Sequence, residues 1–90
     1  MTVTVTRESD DGLRKKTWTF WYYKHALVLD SFSLWERPSK RHKFNAVSYY
    51  MRLDERHSPT SRDDVEIPDD VRDEAVRKFV NELRVMKWQE

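Results

Sequence analysis

The sequence predicts an α+β domain in which a four-stranded antiparallel meander is followed by one C-terminal helix packed on one sheet face (ββββα). Two observations lead to this prediction. Up to about residue 54, β-branched and aromatic residues are enriched, and TVTVT at 2–6 alternates at a period of two. From about residue 69 the period changes to 3.6 residues, with apolar side chains along one side. Ninety residues are enough for a single domain, 1–90, with one core.

The first two strands are predicted to form a hairpin. Residues of the first strand, about 2–8, alternate threonine with valine in TVTVT. Asp10-Asp11-Gly12 follows and contains the only glycine of the chain, which can adopt the positive φ of a tight turn. The second strand, about 13–23, includes most of KKTWTFWYYKH, a stretch with five aromatic residues. Lys24-His25 is then interpreted as a short turn.

The next segments continue the meander. ALVLDSFSLWE predicts a third strand at about 26–36, and RPSKRH, which has no apolar residue, predicts a loop. A fourth strand is predicted at about 43–54, and the polar segment 55–67 is predicted to be a long connection. A helix within 19–35 is the alternative, although the Thr, Trp, Tyr and Val content of that stretch favours strands.

A C-terminal helix is predicted at about 69–87. Asp69 and Asp70 place acidic groups at its N-terminus, where they suit the helix dipole. Trp88 lies off the apolar stripe. That stripe consists of Val71, Ala75, Val76, Phe79, Val80, Leu83 and Met86.

One helix can cover one face of the sheet, so the other face needs a different explanation. Strand alternation assigns a helix side to Val3, Val5, Trp18, Phe20, Tyr22, Ala26, Val28, Phe32, Leu34, Val47, Tyr49, Met51 and Leu53. The opposite side, called the second face below, receives Trp21, Tyr23, Leu27, Leu29, Trp35, Phe44 and Tyr50 among Thr and Ser. Because small soluble proteins rarely expose large apolar patches, either the sheet curls and partly closes on itself or another molecule covers this face. A homodimer is the predicted cover, and a ligand on the same face is compatible with it.

The charge distribution suggests a ligand for the second face. Residues 37–57 carry six basic and two acidic side chains, whereas residues 58–90 carry six basic and nine acidic ones. Aromatic platforms flanked by cations are typical of proteins that bind single-stranded DNA or RNA. The predicted nucleic-acid or partner-binding residues are Trp21, Tyr23, Trp35, Arg37, Lys40, Arg41, Lys43, Phe44, Tyr50 and Arg52.

The order of the elements is similar to that of two families. Four antiparallel strands followed by a helix is also the order in the Whirly proteins and in transcriptional coactivators that bind single-stranded DNA as dimers. The resemblance is one of element order, and no motif of either family occurs here. It implies a nucleic-acid ligand and a dimer, although fold alone does not define function.

Other functions receive less support from the sequence. The chain has no cysteine, and its three histidines, His25, His42 and His57, are far apart, so neither a metal nor a cofactor is expected. No nucleophile pattern is present, which predicts a protein that is not an enzyme. Neither a signal peptide nor a membrane span is visible, so a soluble, cytoplasmic protein is expected. The alternative function is a protein-interaction or inhibitor module, as in phage or mobile-element accessory proteins, with the aromatic face as a dimer or partner interface.

Overall fold

A computed structural model describes the backbone of residues 1–89 and the side chains of 1–54 and 56–85. Its strands are β1 (Thr2–Glu8), β2 (Arg14–Tyr23), β3 (Ala26–Glu36) and β4 (Asn45–Met51). Two short 3₁₀ helices, Arg52–His57 and Arg62–Asp64, precede the helix α1 (Asp69–Gln89). The strands pair as neighbours, all antiparallel, in the order β1-β2-β3-β4. Because α1 then packs on this open sheet, the predicted ββββα fold class is confirmed.

Both predicted hairpin turns are present. Gly12 has a φ of 71° in the turn between β1 and β2, a conformation that favours glycine. The turn between β2 and β3 consists of Lys24 and His25, whose φ angles are 49° and 67°. Positive φ at both central residues is the pattern of a type I′ turn, which matches the twist of the flanking strands. This turn is formed without the Asn or Gly that such positions prefer.

The core lies between the sheet and the covering layer formed by α1 and the segment before it. Val5, Trp18 and Phe20 are almost completely buried, and Val71 and Ala75 of α1 pack against the same cluster. Val65 and Ile67 extend the cover beyond the helix N-terminus. The Trp18 indole Nε1 donates a hydrogen bond of 3.0 Å to the carbonyl oxygen of Glu66. The buried members are Val3, Val5, Trp18, Phe20, Leu29, Phe32, Tyr50, Val71 and Ala75.

Charged side chains join α1 to the edge strand β1. Arg7 contacts Asp70 at 3.1 Å and Glu74 at 3.0 Å, and Lys78 contacts Glu74 at 3.3 Å. Lys78 Nζ also donates to the carbonyl oxygen of Thr4 at 2.8 Å. Desolvation acts to raise the pKa of Glu74, but hydrogen bonds from Lys78 and Arg7 outweigh it and lower that pKa. The helix therefore protects a β1 edge that would otherwise offer hydrogen bonds to another strand.

Two register shifts change which residues share a face. On β3, Thr19 pairs with Ser31 but Phe20 pairs with Leu29, so Asp30 is an extra residue. On β4, Leu34 pairs with Ser48 but Trp35 pairs with Ala46, so Val47 is an extra residue. Simple alternation cannot be continued through either position.

The predicted face assignment is therefore wrong for several residues. Leu27 and Leu29 lie on the helix side, because the shift at Asp30 moves them there, and Leu29 is buried against the core. Tyr50 pairs with Phe32 and is 1% exposed in the same core, so its predicted place on the second face is also wrong. Conversely, Val28 and Tyr49 belong to the second face, opposite Trp21 and Ser33. The predicted burial is also wrong for Val47, Met51 and Leu53, which are exposed.

The fourth strand and the helix differ from prediction at their ends. β4 spans Asn45–Met51 rather than 43–54, since a 3₁₀ helix begins at Arg52. Tyr22, predicted to be core, is 38% exposed at the core margin and contacts the Phe79 ring at 4.6 Å. Much of the apolar stripe of α1 is exposed in the described part of the chain. Its exposed residues are Val76, Val80 and Leu83. The side chains of Met86 and Trp88 lie outside the described residues.

Candidate nucleic-acid interface

The centre of the second face is made of hydroxyl groups rather than aromatic rings. Thr4 and Thr19 lie side by side with their Oγ1 atoms 3.2 Å apart, and the strand register places Ser31 next to Thr19. Thr6 and Thr17 form a parallel row with Oγ1 atoms 3.4 Å apart, and the register adds Ser33. We call these two sets of three residues the hydroxyl rows. They cross β1, β2 and β3, with Thr4 and Thr6 exposed and the other four residues half-buried.

An aromatic and cationic cluster lies beside the hydroxyl rows, at the end of the second face where β2 begins. Lys15 Nζ lies 5.4 Å from the centroid of the Trp35 ring and 4.6 Å from that of Phe44. Arg37 places its guanidinium carbon 4.1 Å from the Phe44 centroid. We call Lys15, Trp35, Arg37 and Phe44 the first cluster. Its cations rest on the negative faces of the rings, so this arrangement stabilises both partners.

A second cluster occupies the opposite end. Trp21 and Tyr23 are two residues apart on β2, and their rings stack with centroids 4.8 Å apart at 16°. Arg52 lies over Trp21 at 4.4 Å, and Lys24 lies over Tyr23 at 5.2 Å. Arg52 also forms an ion pair of 3.2 Å with Asp30, the bulge residue. We call Trp21, Tyr23, Lys24 and Arg52 the second cluster.

The basic loop between β3 and β4 starts and ends in the first cluster. Arg37 begins it and Phe44 ends it, while Lys40, Arg41 and Lys43 between them are exposed. Arg37 Nε donates a hydrogen bond of 2.8 Å to the carbonyl oxygen of Gly12, which holds the loop against the β1–β2 turn. The loop therefore adds positive charge beyond the end of the sheet where the first cluster lies.

Most of the predicted site residues are brought together, but in two groups. Trp35, Arg37 and Phe44 meet in the first cluster, and Trp21, Tyr23 and Arg52 meet in the second. Lys40, Arg41 and Lys43 lie on the exposed loop. Tyr50 is separated from all of them by the sheet itself, for the reason given above.

Sequence reasoning did not select Lys15 and Lys24. Lys15 is on β2 in the same alternating set as Trp21, so a strict reading of the period would have placed it on the second face. Lys24 directly follows Tyr23 at the hairpin turn. The hydroxyl rows were predicted as a polar background to the aromatics, and their position between the clusters depends on pairing that the sequence does not show.

The second face is more basic than acidic. Its cations are Lys15, Lys24, Arg37 and Arg52, and its acidic groups are Asp30 and Glu8, which is paired in register with Lys15. Asp30 offsets part of the charge of Arg52, and Glu8 faces Lys15 in register, so each cluster has two cations and one acidic neighbour. Positive groups over a polar surface attract extended anions more than apolar partners.

These features define a small α+β domain of ββββα topology whose open sheet face combines hydroxyl groups with cations held on aromatic rings. Comparison with protein-family models, curated proteins and solved structures finds no match to this chain. Among the residues that the structure describes, no three His, Asp or Glu side chains group together in a way that could hold a metal ion. In the same part of the chain, no helix has the length and apolar character needed to cross a membrane.

Proposed function

We propose that this protein is a non-catalytic binding domain for single-stranded nucleic acid, which it binds on the second face with help from the 37–43 loop. The observation that carries the proposal is the pair of cation–aromatic clusters, one on each side of the hydroxyl rows. The cations can neutralise phosphates, and proteins that bind single strands combine such charges with aromatic side chains. A cytoplasmic location stays a prediction.

The centre of the second face favours a polar ligand over an apolar one. Leu29 and Tyr50 lie in the core and Leu27 packs against it, so the second face loses these three groups, while Val28, Tyr49 and Met51 join it near its β4 side. What remains is rich in hydroxyls and cations, which suits a flexible polyanion. The polar centre of the second face therefore favours nucleic acid over a subunit contact as its ligand.

A fluorescence titration tests the proposal. Trp21 and Trp35 lie half-buried on the second face, so their emission should be quenched when a mixed-sequence oligonucleotide binds. The apparent affinity should fall as salt is raised from low to moderate concentration, because phosphate contacts release counterions. Saturating oligonucleotide without any response at low salt would end the proposal.

Two charge-reversal variants distinguish binding by the 37–43 loop from a general effect of net charge on affinity. Changing Lys40→Glu together with Arg41→Glu should abolish or strongly weaken binding, since both side chains are exposed on the basic loop. The matched control is Arg72→Glu with Arg77→Glu, which makes the same change in net charge on the exposed side of α1. Equal losses in the two variants would mean that the domain responds to net charge and not to this face.

A protein-interaction function, including a homodimer, is the second candidate, and it is favoured by a different surface. Val76, Val80 and Leu83 of α1 are 46%, 38% and 45% exposed, and they continue the stripe whose first residues are in the core. A second copy packed on this stripe would leave the second face open. Light scattering at tens of micromolar tests it: a mass near 22 kDa, twice 11.0 kDa, supports the dimer, and a mass near 11 kDa refutes it.

A further inference from the structure

We infer that the second face binds the phosphate backbone of a single strand at two points, through the cations of the two clusters, and that the bases do not stack on its rings. This inference rests on the proposed function and specifies how the strand is held. It predicts a ligand class that is defined by length and charge rather than by base sequence.

Cations already lie over the rings of both clusters. Phe44 has Lys15 at 4.6 Å and Arg37 at 4.1 Å from its centroid. Trp21 is in contact with the Tyr23 ring and with Arg52 at 4.4 Å. A base could stack on these rings only by displacing cations that the rings hold in place. The rings therefore act as supports that order the long cationic side chains for contact with phosphates.

The surface between the clusters is polar and also favours contacts with the nucleic-acid backbone. The hydroxyl rows contain threonine and serine, which donate and accept hydrogen bonds with phosphate or sugar oxygens but offer no surface for stacking. A nucleic-acid strand that runs from one cluster to the other must cross these rows. Contacts with the backbone are thus available along the whole path, whereas the rings lie at its ends and, for Tyr49, at its β4 side.

The distance between the two clusters determines how many nucleotides a nucleic-acid strand needs to reach both. Lys15 and Trp21 are six residues apart on β2, which corresponds to about 20 Å at ~3.3 Å per residue. A strand with a rise of ~3.4 Å per nucleotide needs about six nucleotide steps for this distance, and a more extended strand needs fewer. Affinity should therefore rise steeply up to about six or seven nucleotides and then level off.

The deciding experiment compares a ten-nucleotide oligothymidylate with an abasic strand of the same number of phosphates, each end-labelled and followed by fluorescence anisotropy. Backbone binding requires that the two dissociation constants agree within about threefold. Loss of more than tenfold on removing the bases would overturn the inference while leaving the proposed function intact. Absence of binding by both strands at low salt would overturn the two together.

A length series with matched variants tests the two-point contact. Lys15→Gln should remove the rise in affinity between three and seven nucleotides and reduce the magnitude of the salt slope by about 0.7, the value for one phosphate contact with a single strand. Lys16→Gln is the control, because Lys16 is exposed at the adjacent position whose side chain points to the other side of β2. Equal behaviour of the two variants, with both folded by circular dichroism, would refute the role of the first cluster.

Discussion

Tyr49 and Tyr50 allow a direct test of the register shifts, because they are adjacent and chemically identical but lie on opposite faces of β4. Tyr50 is 1% exposed and pairs with Phe32 in the core. Tyr49 is half-buried on the second face, pairs with Ser33, and donates from its hydroxyl to the carbonyl oxygen of His57 at 3.3 Å. We expect alanine at these two positions to have very different effects on the free energy of unfolding.

The expected magnitudes follow from burial. Replacing a buried aromatic residue by alanine costs about 3–5 kcal/mol, from lost transfer free energy and the cavity that remains. A half-exposed tyrosine with one long, exposed hydrogen bond should cost about 1 kcal/mol. Since a domain of 90 residues is stable by roughly 5–13 kcal/mol, Tyr50→Ala should remove a large part of the total. At ~4–8 °C per kcal/mol, its Tm should fall by at least about 12 °C.

Urea unfolding followed by far-UV circular dichroism measures both variants. Tyr50→Ala should shift the midpoint to much lower urea at an unchanged m value, and Tyr49→Ala should shift it slightly. If Tyr50→Ala does not fold, Tyr50→Leu provides a milder change at the same site. A larger loss for Tyr49→Ala, or equal losses for both, would refute the face assignment and with it the extra residue at Val47.

Three further predictions concern stability. Replacing Lys24-His25 by Asn-Gly should raise the free energy of unfolding by about 1 kcal/mol, because both positions have positive φ; an unchanged urea midpoint would contradict the type I′ turn. Glu74 has a lowered pKa in the folded state, so its contribution is present above the unfolded value of ~4.3 and is lost as pH falls through the lower, folded value. Glu74→Gln should flatten the acid side of a plot of Tm against pH, and an unaltered profile would exclude this linkage. Trp18→Phe should cost about 1–3 kcal/mol, since it leaves the Glu66 carbonyl without its 3.0 Å donor, and thermal unfolding measures this loss.

The elements were predictable because their signals are local. The alternation in TVTVT, the glycine after two aspartates and the change to a 3.6-residue period each depend on a few neighbouring residues. The bounds of β1 and β3 agree with prediction, and α1 begins at the predicted Asp69. In the fourth strand the prediction extended too far, because Phe44 and Leu53 continue its apolar character beyond the ladder that ends at Met51.

The faces were less predictable because they depend on pairing between strands. The run Leu27-Val28-Leu29 does not alternate in hydropathy, so the sequence contains no indication of which residue faces the helix. Asp30 breaks the run, and in the structure it is the extra residue that returns Phe32 to the side of Leu29. No local signal marks Val47 in the same way. The extra residue Val47 was thus enough to exchange Tyr50 and Tyr49 between the faces, as Asp30 was enough to bring Leu27 and Leu29 to the helix side.

The same shifts determine what kind of ligand the second face can take. An aromatic face would bind through buried apolar area, and its affinity would depend little on salt. The face that forms has hydroxyl rows at its centre, and its rings lie beneath Lys15, Arg37 and Arg52. Binding to such a surface depends mainly on charge. The logarithm of the association constant should therefore fall linearly with the logarithm of the salt concentration. The salt slope is therefore the measurement that connects the position of two bulges to the function of the domain.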